Sequence, residues 1–423
     1  PLMSLMKSWV ASANSPDCPF PLNNLPYGVF SVGDDDPRCG VAIGDQVLDM
    51  AALEEAGLVD LDEHGVFSLP FWNDVMDMGP AVWAKLRARL LDLLADGSDA
   101  QAAVAQHLVP MSDVTLHMPM LVSEYTDFYA GMQHAKNMGA ILRGSPDLPA
   151  NWLHIPIGYN GRASSVVVSG TDIRRPLGQT KAPDAESPSF GPTKRLDIEL
   201  EMGAVVGTGS TMGQPITVDE AEDMIFGYVL LNDWSARDIQ GWEYQPLGPF
   251  QGKAFGTSIS PWIVTSEALE PFRTGTPKRE KKLLPYLKEN KPGLFDINLE
   301  VLMQPEGAAK ASSIAKTNYS RVYYSAAQQL CHHAVGGCAM NPGDLLGSGT
   351  ISGPDKGEYG SLMEVSWAGK EPFTLDTGEK RGFIEDGDTL TLKGAAKGDG
   401  FTIGFGDCTG TLLPALKDPY SRG

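Results

Sequence analysis

The stretch Leu196-Asp197-Ile198-Glu199-Leu200-Glu201-Met202 alternates aliphatic residues and carboxylates strictly over seven positions. This is the side-chain period of a β-strand, so we predict that its three acids share one face of a pleated strand. Arg195 and the apolar residues 203–206 flank the stretch and indicate a strand that runs inward. A buried row of acids needs a counter-charge, and a hard cation with oxygen ligands supplies one. The stretch therefore favours a metal site, with a solvated edge strand as the alternative.

The composition limits the partners and the compartment. The chain of 423 residues carries 33 basic and 53 acidic residues, a net charge of −20, which argues against nucleic acid or an anionic membrane surface as the general partner. No run of about 18 apolar residues occurs, so we predict no membrane span. The five cysteines are odd in number, widely spaced and without a CxxC pair, which indicates a reducing compartment, by default the cytoplasm.

The length predicts two domains. Residues 1–118 are expected to form a small mixed domain, in which Gly44-Asp45 between two β-type runs predicts a hairpin turn. Pro80 opens a predicted helix with one apolar face, and Gly97 is its expected stop. No convergent polar cluster is evident in this part, so we expect it to brace the second domain.

Residues 119–423 form the second predicted domain, where short β-type runs lie between Gly/Pro turns. This pattern is typical of a β-sandwich or β-roll. Residues 217–220, Thr-Val-Asp-Glu, fit the capping box of one helix, and a second helix is predicted from Ser325 to His333. The adjacent His332 and His333 cannot both face one metal from a helix.

The motifs of several enzyme classes are missing. The glycines of residues 207–213 are spaced incorrectly for a dinucleotide-binding turn, and Gln214-Pro215 follows them. The chain has no G-x-S-x-G elbow, no P-loop and no H-E-x-x-H pattern. Serine-hydrolase, NTPase and zinc-protease interpretations are therefore excluded.

A group of reactive side-chain types lies just after the predicted boundary: Asp127, Tyr129, His134 and Arg143. Histidine is the side chain most easily made into a general base near neutral pH. A lone histidine is more often structural, so His134 taken by itself is a candidate without further support.

Residues 232–244 follow an apolar strand, and strand ends commonly carry binding and catalytic residues. If Asp233 joins Asp127, Glu199 and Glu201, four carboxylates surround one cation. Such an all-oxygen set suits Ca²⁺, Mg²⁺ or Mn²⁺ better than Zn²⁺. Three nearby side chains could donate to a developing oxyanion, or alternatively form salt bridges: Arg237, Gln240 and Lys253.

Motifs along most of the chain resemble the fumarylacetoacetase family. They are residues 127–129 with 133–135, 151–154, 158–165, 174–179, 196–201, 232–238, 252–257 and 347–354, and the surroundings of Glu364. Residues 24–30, Asn-Leu-Pro-Tyr-Gly-Val-Phe, resemble the full-length two-domain enzymes rather than their shorter relatives. Gly131-Met132 and Asn160 depart locally from the family pattern, which concerns fine substrate preference more than the reaction.

The resemblance implies a mainly β fold, with a small SH3-like N-terminal barrel in residues 1–118 and a large mixed β-sandwich roll in residues 119–423. It implies a homodimer that acts on a small diketo acid, which agrees with the cytoplasm and the absence of a nucleic-acid or membrane partner expected from the composition. The implied reaction is hydrolysis of a carbon–carbon bond in 4-fumarylacetoacetate to fumarate and acetoacetate, the last step of tyrosine and phenylalanine degradation.

The resemblance also implies two metals. A Ca²⁺ ion that the substrate's diketone oxygens chelate would be held by four side chains: Asp127, Glu199, Glu201 and Asp233. A Mg²⁺ ion would use Asp233 with backbone oxygens near Lys253 and Thr257. The metal is expected to stabilise the enolate that leaves. Asp197 is given no metal by the family pattern and is expected to be a structural acid or a neighbour of Arg195.

In the implied mechanism His134 activates water, and Glu364 holds the imidazole in the required tautomer. The oxyanion would be met by Arg237, Gln240 and Lys253. The residues expected to bind the substrate are Tyr129, Arg143, Tyr159, Gln240, Tyr244 and Thr350.

Two alternative functions remain open. One is a related acylpyruvate hydrolase or oxaloacetate decarboxylase, against which the long first domain weighs. The other is a non-catalytic metal-binding module, in which His134 and Glu364 need not meet.

Overall fold

The structure is a computed structural model that describes residues 3–421, so positions 1, 2, 422 and 423 of the two predicted domains lie outside the described residues. The N-terminal part contains an antiparallel sheet ordered β4-β3-β2-β1-β5. Its strands are β1 (Tyr27–Val32), β2 (Arg38–Ile43), β3 (Gln46–Asp49), β4 (Leu108–Pro110) and β5 (Val114–His117). Gly44 and Asp45 join β2 to β3, which confirms the predicted hairpin turn.

The helices of this part are α1 (Met50–Glu55), α2 (Asn73–Asp77), α3 (Pro80–Leu94) and α4 (Gln101–Ala105). The predicted helix is confirmed as α3, with Pro80 at its first position, where a missing N–H breaks no helical hydrogen bond. Its leucines at 86, 90, 93 and 94 are buried. The helix ends at Leu94, slightly before the expected stop at Gly97.

The rest of the chain is dominated by short strands. The first group is β6 (Tyr125–Phe128), β7 (Gly158–Asn160), β8 (Val166–Val168), β9 (Ile173–Arg174), β10 (Leu177–Thr180), β11 (Ser189–Pro192), β12 (Leu196–Asp197), β13 (Leu200–Val206), β14 (Ile225–Asp233), β15 (Ser235–Ala236), β16 (Thr257–Ile259) and β17 (Val264–Thr265). The second group is β18 (Arg273–Thr274), β19 (Leu294–Phe295), β20 (Asn298–Gln304), β21 (Ser312–Asn318), β22 (Leu345–Gly347), β23 (Phe373–Thr374), β24 (Lys380–Arg381), β25 (Thr389–Lys397), β26 (Thr402–Gly404) and β27 (Cys408–Leu413).

Six helices interrupt these strands: α5 (Met132–Arg143), α6 (Val218–Met224), α7 (Arg237–Glu243), α8 (Ser266–Leu269), α9 (Ala326–Ala334) and α10 (Leu362–Val365). The predicted capping box is confirmed at Thr217 before α6, and the second predicted helix is confirmed as α9, which also begins with a capping box, at Ser325. His332 and His333 contact different partners, the Tyr286 hydroxyl at 2.9 Å and Thr126 Oγ1 at 2.8 Å. They do not share a site, as expected.

An eight-stranded sheet, ordered β7-β6-β22-β13-β14-β16-β8 with β17 also on β14, forms the central layer. Successive side chains of a strand point to opposite faces, and β14 is buried on both. Val229 joins a core with Val29 of the N-terminal sheet. Leu230 joins a second core with Val301 of the six-stranded sheet β21-β20-β25-β27-β9, in which β26 pairs with β25. Burial on both faces explains why residues 225–231 of β14 carry no charged side chain and are almost all apolar.

The N-terminal sheet is joined to the central layer by backbone hydrogen bonds. Tyr27 and Ile263 exchange two of them, at 2.9 and 2.8 Å. The Tyr27 ring also packs against Phe226 of β14, with 5.5 Å between ring centroids. These contacts and the shared core agree with a bracing role for the N-terminal part.

The strand predicted over residues 196–202 is interrupted. Leu196 and Asp197 form β12, which pairs with β15, while β13 begins only at Leu200 and pairs with β14. Between them the Glu199 N–H donates to Asn232 Oδ1 at 3.2 Å. A side-chain oxygen thus replaces a backbone acceptor, so the prediction of one continuous strand is wrong at this point. The predicted burial of its acids is confirmed, because Asp197 and Glu201 are fully buried and Glu199 is 5% exposed.

The prediction of a mainly β protein is confirmed. The SH3-like closure of the N-terminal barrel and the domain boundary at 118/119 stay predictions. Within residues 3–421, none of the helices has both the length and the apolar character needed to cross a membrane.

Candidate active site

Four buried carboxylates converge beside the central strands. Asp127 lies on β6, Glu201 on β13 and Asp233 at the end of β14, while Glu199 occupies the interruption before β13. One oxygen of each side chain lies within 4.8 Å of the others. The structure therefore brings together the four acids that the sequence predicted as one cation site.

A glycine on the intervening strand allows two of these acids to meet. Gly347 of β22 pairs with Asp127 on one side and with Gly203 of β13 on the other. A Cβ atom at Gly347 would lie 2.7 Å from Asp127 Oδ1 and 3.0 Å from Glu201 Oε1. The missing side chain leaves the space in which both carboxylates stand.

The charge of this cluster fits a divalent cation. Asp127 Oδ1 and Glu201 Oε2 are buried and accept no hydrogen bond from the part of the chain that the structure describes. Burial, together with the Asp127 carboxylate, raises the pKa of Glu201 well above its usual value. Burial also raises the pKa of Asp233, even though Lys253 opposes the change. Buried like charges are costly without a counter-ion, and carboxylate oxygens are the ligands that Ca²⁺ and Mg²⁺ prefer.

Two cationic side chains border the cluster. Lys253 Nζ contacts a carboxylate oxygen of Glu199 and lies 3.2 Å from Asp233 Oδ2. Arg237 donates from Nη2 to Glu199 at 3.2 Å and from Nη1 to Gln240 Oε1 at 3.3 Å. Burial would raise the pKa of Glu199, but Lys253 and Arg237 outweigh burial and lower it. The three predicted oxyanion donors thus lie together, and two of them also form the salt bridges of the alternative interpretation.

The residues predicted for a second metal are also neighbours. Asp233 pairs with Thr257 across β14 and β16, and Thr257 Oγ1 lies 3.5 Å from Asp233 Oδ1. Lys253 ends a short 3-10 turn that starts at Gln251 and precedes β16. Their role in binding a metal stays a prediction.

A histidine–glutamate pair faces the cluster. His134 lies in the first turn of α5, and its Nδ1 is 2.8 Å from Glu364 Oε2 on α10. Both side chains are buried. The other ring nitrogen, Nε2, lies 3.8 Å from Glu199 Oε2. When Glu364 accepts the Nδ1–H hydrogen bond, a neutral imidazole has its unprotonated nitrogen on the side of the four carboxylates.

Three neutral donors surround Glu364. Asn137 Nδ2 and Ser352 Oγ donate to Oε1 at 2.8 and 2.9 Å, and Ser361 Oγ donates to Oε2 at 2.5 Å. Burial would raise the pKa of Glu364, but His134 and the hydrogen bonds from Ser361 and Asn137 prevail and lower it. Sequence reasoning missed all three donors. Of the three, only Asn137 could have been identified from the sequence, because it lies three residues after His134, on the same face of a helix.

Asp197 is paired with Arg237, and the expected neighbour Arg195 is not its partner. Arg237 Nε donates to Asp197 Oδ2 at 2.8 Å, whereas the Arg195 guanidinium lies 5.8 Å from the centroid of the Phe383 ring. The cause is the pairing of Asp197 with Ser235, which places Arg237, two residues further on, on the same side.

Tyr129 lies beside His134, and Tyr159 lies beside the cluster of four carboxylates. The Tyr129 ring meets the His134 ring edge-to-face, with 5.5 Å between centroids. The Tyr159 hydroxyl lies 3.1 Å from Asp127 Oδ2 and 2.9 Å from Asp233 Oδ2. Tyr159 therefore contacts two of the predicted metal ligands, and its contact with substrate stays a prediction.

The other predicted substrate-binding residues differ in exposure. Thr350 is buried, and its Oγ1 has no hydrogen-bond partner among residues 3–421. Arg143 ends α5, is exposed, and donates to the Asp147 carbonyl at 3.1 Å. Tyr244 is 42% exposed. Their contact with substrate stays a prediction.

Comparison with known proteins covers nearly the whole chain. Residues 124–412 match the family model described as fumarylacetoacetate (FAA) hydrolase C-terminal, and residues 23–119 match that described as fumarylacetoacetase N-terminal. The fumarylacetoacetase of Homo sapiens is 49% identical over 411 residues, which covers 95% of this chain and 97% of the relative. That of Arabidopsis thaliana is 48% identical over 422 residues, covering 98% and 100%.

More distant solved structures share the fold. A fumarylacetoacetate hydrolase from psychrophilic Exiguobacterium antarcticum superposes with a TM-score of 0.52 at 16% identity, covering 92% of this chain and 99% of that chain. A maleylpyruvate hydrolase from Sphingobium superposes with a TM-score of 0.51 at 15% identity, covering 92% and 100%. At these identities the likeness concerns the fold alone.

Proposed function

This chain belongs to the fumarylacetoacetase family, and from that premise we propose that it hydrolyses 4-fumarylacetoacetate to fumarate and acetoacetate, completing tyrosine and phenylalanine degradation. The observation that carries the mechanism is the His134–Glu364 hydrogen bond at 2.8 Å, with His134 Nε2 beside the carboxylate cluster. This geometry provides a general base at the place where a diketo acid would meet a cation.

Ca²⁺ is the proposed ion for the four carboxylates, and Mg²⁺ is proposed for Asp233 with backbone oxygens near Lys253 and Thr257. The unpartnered oxygens of Asp127 and Glu201 support the first site. A cation bound there supplies Lewis-acid polarisation of the diketone and stabilises negative charge on the departing fragment.

The chain's own residues move the proton. His134 Nε2 accepts a proton from water while Glu364 holds Nδ1–H, and the water oxygen bonds to the keto carbon of the fumaryl group, which becomes a carboxyl carbon of fumarate. The bond from that carbon to the acetoacetate fragment then breaks, and its electron pair leaves with the fragment. The fragment takes up the proton from His134, which returns the imidazole to its neutral state.

The tetrahedral oxyanion requires donors that are already in place. Arg237 and Lys253 contact Glu199, and Gln240 lies against Arg237. These three side chains serve this role, and one such donor typically lowers the barrier by about 3 kcal/mol. The substrate's carboxylates and flanks are proposed to contact Tyr129, Arg143, Tyr159, Gln240, Tyr244 and Thr350. Arg143 gives an anionic substrate a local positive charge on a chain of net charge −20.

The test is turnover of fumarylacetoacetate by the purified protein with Ca²⁺. The His134→Ala variant is expected to lose kcat by about 10²–10⁴-fold, because the general base is removed. The matched control is His332→Ala on α9, whose ring bonds only to Tyr286 among the described residues and should leave kcat unchanged. No turnover by the wild type, or full turnover by His134→Ala, contradicts the proposal.

The alternatives are separated by the same assay and by geometry. A panel of an acylpyruvate, oxaloacetate and fumarylacetoacetate names the reaction by the highest kcat/KM. The non-catalytic module has no need for the His134–Glu364 contact, and that contact weighs against it.

A homodimer in the cytoplasm is also proposed, and light scattering in solution measures the oligomeric state.

A further inference from the structure

We propose that Asp197 is a positioning residue that couples the oxyanion donor Arg237 to the general-base pair of His134 and Glu364. The inference rests on the proposed function and adds to it a residue that binds neither metal nor substrate. Asp197 belongs to the alternating acidic stretch, yet it lies outside the cluster of four carboxylates.

Each carboxylate oxygen of Asp197 accepts two hydrogen bonds. Oδ1 accepts from the backbone N–H groups of Ile198 and Leu362, each at 2.7 Å. Oδ2 accepts from Arg237 Nε at 2.8 Å and from the Met363 N–H at 2.9 Å. The side chain has no exposed surface. A buried carboxylate with four donors has one orientation, so the groups that it contacts are fixed relative to one another.

Two of these donors belong to α10, the helix that carries Glu364. Leu362 and Met363 are the first two residues of α10, whose N-terminal N–H groups have no partner within the helix. The third N–H, that of Glu364, is accepted by Ser361 Oγ at 3.3 Å. Asp197 therefore sets the position of the short helix that presents Glu364 to His134.

Two carboxylates, Asp197 and Glu199, accept hydrogen bonds from Arg237. Its Nε donates to Asp197 and its Nη2 to Glu199, a proposed metal ligand. Without the Asp197 carboxylate, Glu199 would be the only carboxylate that Arg237 contacts among the described residues. The guanidinium would then move toward the cation ligands and away from the oxyanion. Asp197 thus holds the donor and the base at a fixed separation.

The experiment compares steady-state kinetics of the wild type and Asp197→Asn on fumarylacetoacetate with saturating Ca²⁺. An amide offers one acceptor oxygen, so either Arg237 and Met363 or Ile198 and Leu362 lose theirs. The expected result is a fall in kcat of roughly 10–100-fold with KM within about threefold, because the lost alignment acts on the transition state. A folded variant with wild-type kcat overturns the inference.

Asp388→Asn is the matched control. Asp388 is also fully buried and also accepts from an arginine, Arg381, at 2.9 and 3.0 Å and from the Glu385 N–H at 2.9 Å. It touches none of the proposed catalytic residues. Thermal unfolding of both variants separates stability from activity: Asp388→Asn should lower Tm and keep kcat, whereas Asp197→Asn should lower kcat among molecules that remain folded. Equal kcat losses in the two variants contradict a positioning role.

A double-mutant cycle provides a readout that a merely structural role would not change. If Asp197 acts through Glu364, Asp197→Asn should reduce kcat at least about fivefold less in a Glu364→Gln background than in the wild type. Fully additive losses overturn the inference. Should Asp197→Asn not fold, Asp197→Ser takes its place. Failure of both to fold while Asp388→Asn folds also overturns it, since Asp197 would then be a folding residue.

Inactivity of the wild type contradicts the proposed function itself. An active wild type with an unaffected Asp197→Asn variant contradicts only the role of Asp197. The two failures are therefore distinguishable in a single set of assays.

Discussion

Glu364 has one titratable partner, His134, and three neutral ones, Asn137, Ser352 and Ser361. The neutral hydrogen bonds stabilise the carboxylate without adding a second positive charge near His134. Burial would raise the pKa of Glu364, but His134 and the hydrogen bonds from Ser361 and Asn137 prevail and lower it. The carboxylate therefore remains an acceptor and holds the proton on Nδ1, which leaves Nε2 free to act as a base.

The first prediction concerns this carboxylate. Glu364→Gln keeps the shape of the side chain but replaces one oxygen by an NH2 group that faces two of the present donors. The neutral amide no longer stabilises a protonated imidazole, and an NH2 group in place of Oε2 would also reverse the tautomer of His134. The expected result is a loss of about 10²-fold or more in kcat, measured by steady-state kinetics. Glu54→Gln, a buried glutamate of the N-terminal part, is the control and should keep wild-type kcat. An active Glu364→Gln variant would show that the tautomer is set elsewhere.

Among the structural elements, strand β22 has buried acids near both of its ends. At its C-terminal end Gly347 leaves space for the carboxylates of Asp127 and Glu201. Immediately before its first residue lies Asp344 in the turn from Asn341, with Oδ2 accepting from the Asn341 N–H at 2.8 Å. One short strand thus has a buried acid before its first residue and two acids of the proposed cation site beside its last residue.

Gly347→Ala is predicted to weaken cation binding. The added Cβ would stand within 3.0 Å of both carboxylates, which must move apart. We expect a destabilisation of about 1–3 kcal/mol from overpacking and a clear loss of Ca²⁺ affinity in calorimetric titration. The control is Gly191→Ala on β11, where a Cβ would meet nothing within 4 Å. Unchanged Ca²⁺ affinity in Gly347→Ala would contradict the role of this glycine.

Asp344 provides a pH prediction. Burial raises its pKa to about 6. A folded-state pKa above the unfolded value means that the folded protein binds the proton more tightly. Its contribution to stability is therefore present at low pH and is lost as pH rises through about 6. The expected loss is about 2–3 kcal/mol between pH 4 and pH 8.

The measurement is denaturant unfolding of the wild type and Asp344→Asn at both pH values. The variant removes the ionisation, so its free energy of unfolding relative to the wild type should increase from pH 4 to pH 8. Other titrating groups cancel in this difference. A difference that is the same at both pH values would contradict the raised pKa.

For the whole molecule, the central sheet is shared by two cores, and the four buried carboxylates lie beside its inner strands. Like charges buried between packed layers oppose folding, and a cation bound only by the folded state compensates for them. Metal binding and global stability should therefore be coupled.

This coupling gives the last prediction. Ca²⁺ at about 100 times its Kd should stabilise the protein by about 2.7 kcal/mol and raise Tm, while a chelator should reverse the change. In Glu201→Gln the rise should be smaller, because one ligand has lost its charge, whereas Asp388→Asn should respond like the wild type. Calorimetric scans with and without Ca²⁺ make the comparison, and a Tm that ignores Ca²⁺ would refute the proposed site.

The sequence by itself determined the features that depend on near neighbours. The turn at Gly44-Asp45, the start of α3 at Pro80 and the capping boxes at Thr217 and Ser325 follow from interactions within a few residues. Alternation in the acidic stretch likewise predicted buried carboxylates, because the period of a strand assigns side chains to faces. The family resemblance then brought in the distant partners, His134 and Glu364 among them.

Only the tertiary structure decided which distant groups meet. The interruption before β13 depends on the Asn232 side chain, and the pairing of Asp197 with Arg237 depends on β15 lying beside β12. Asn137 and Glu364 are 227 residues apart in the chain, and no local pattern marks such a contact. The physical reason is that these contacts arise from the packing of separate elements, whereas sequence patterns report the environment of one element at a time.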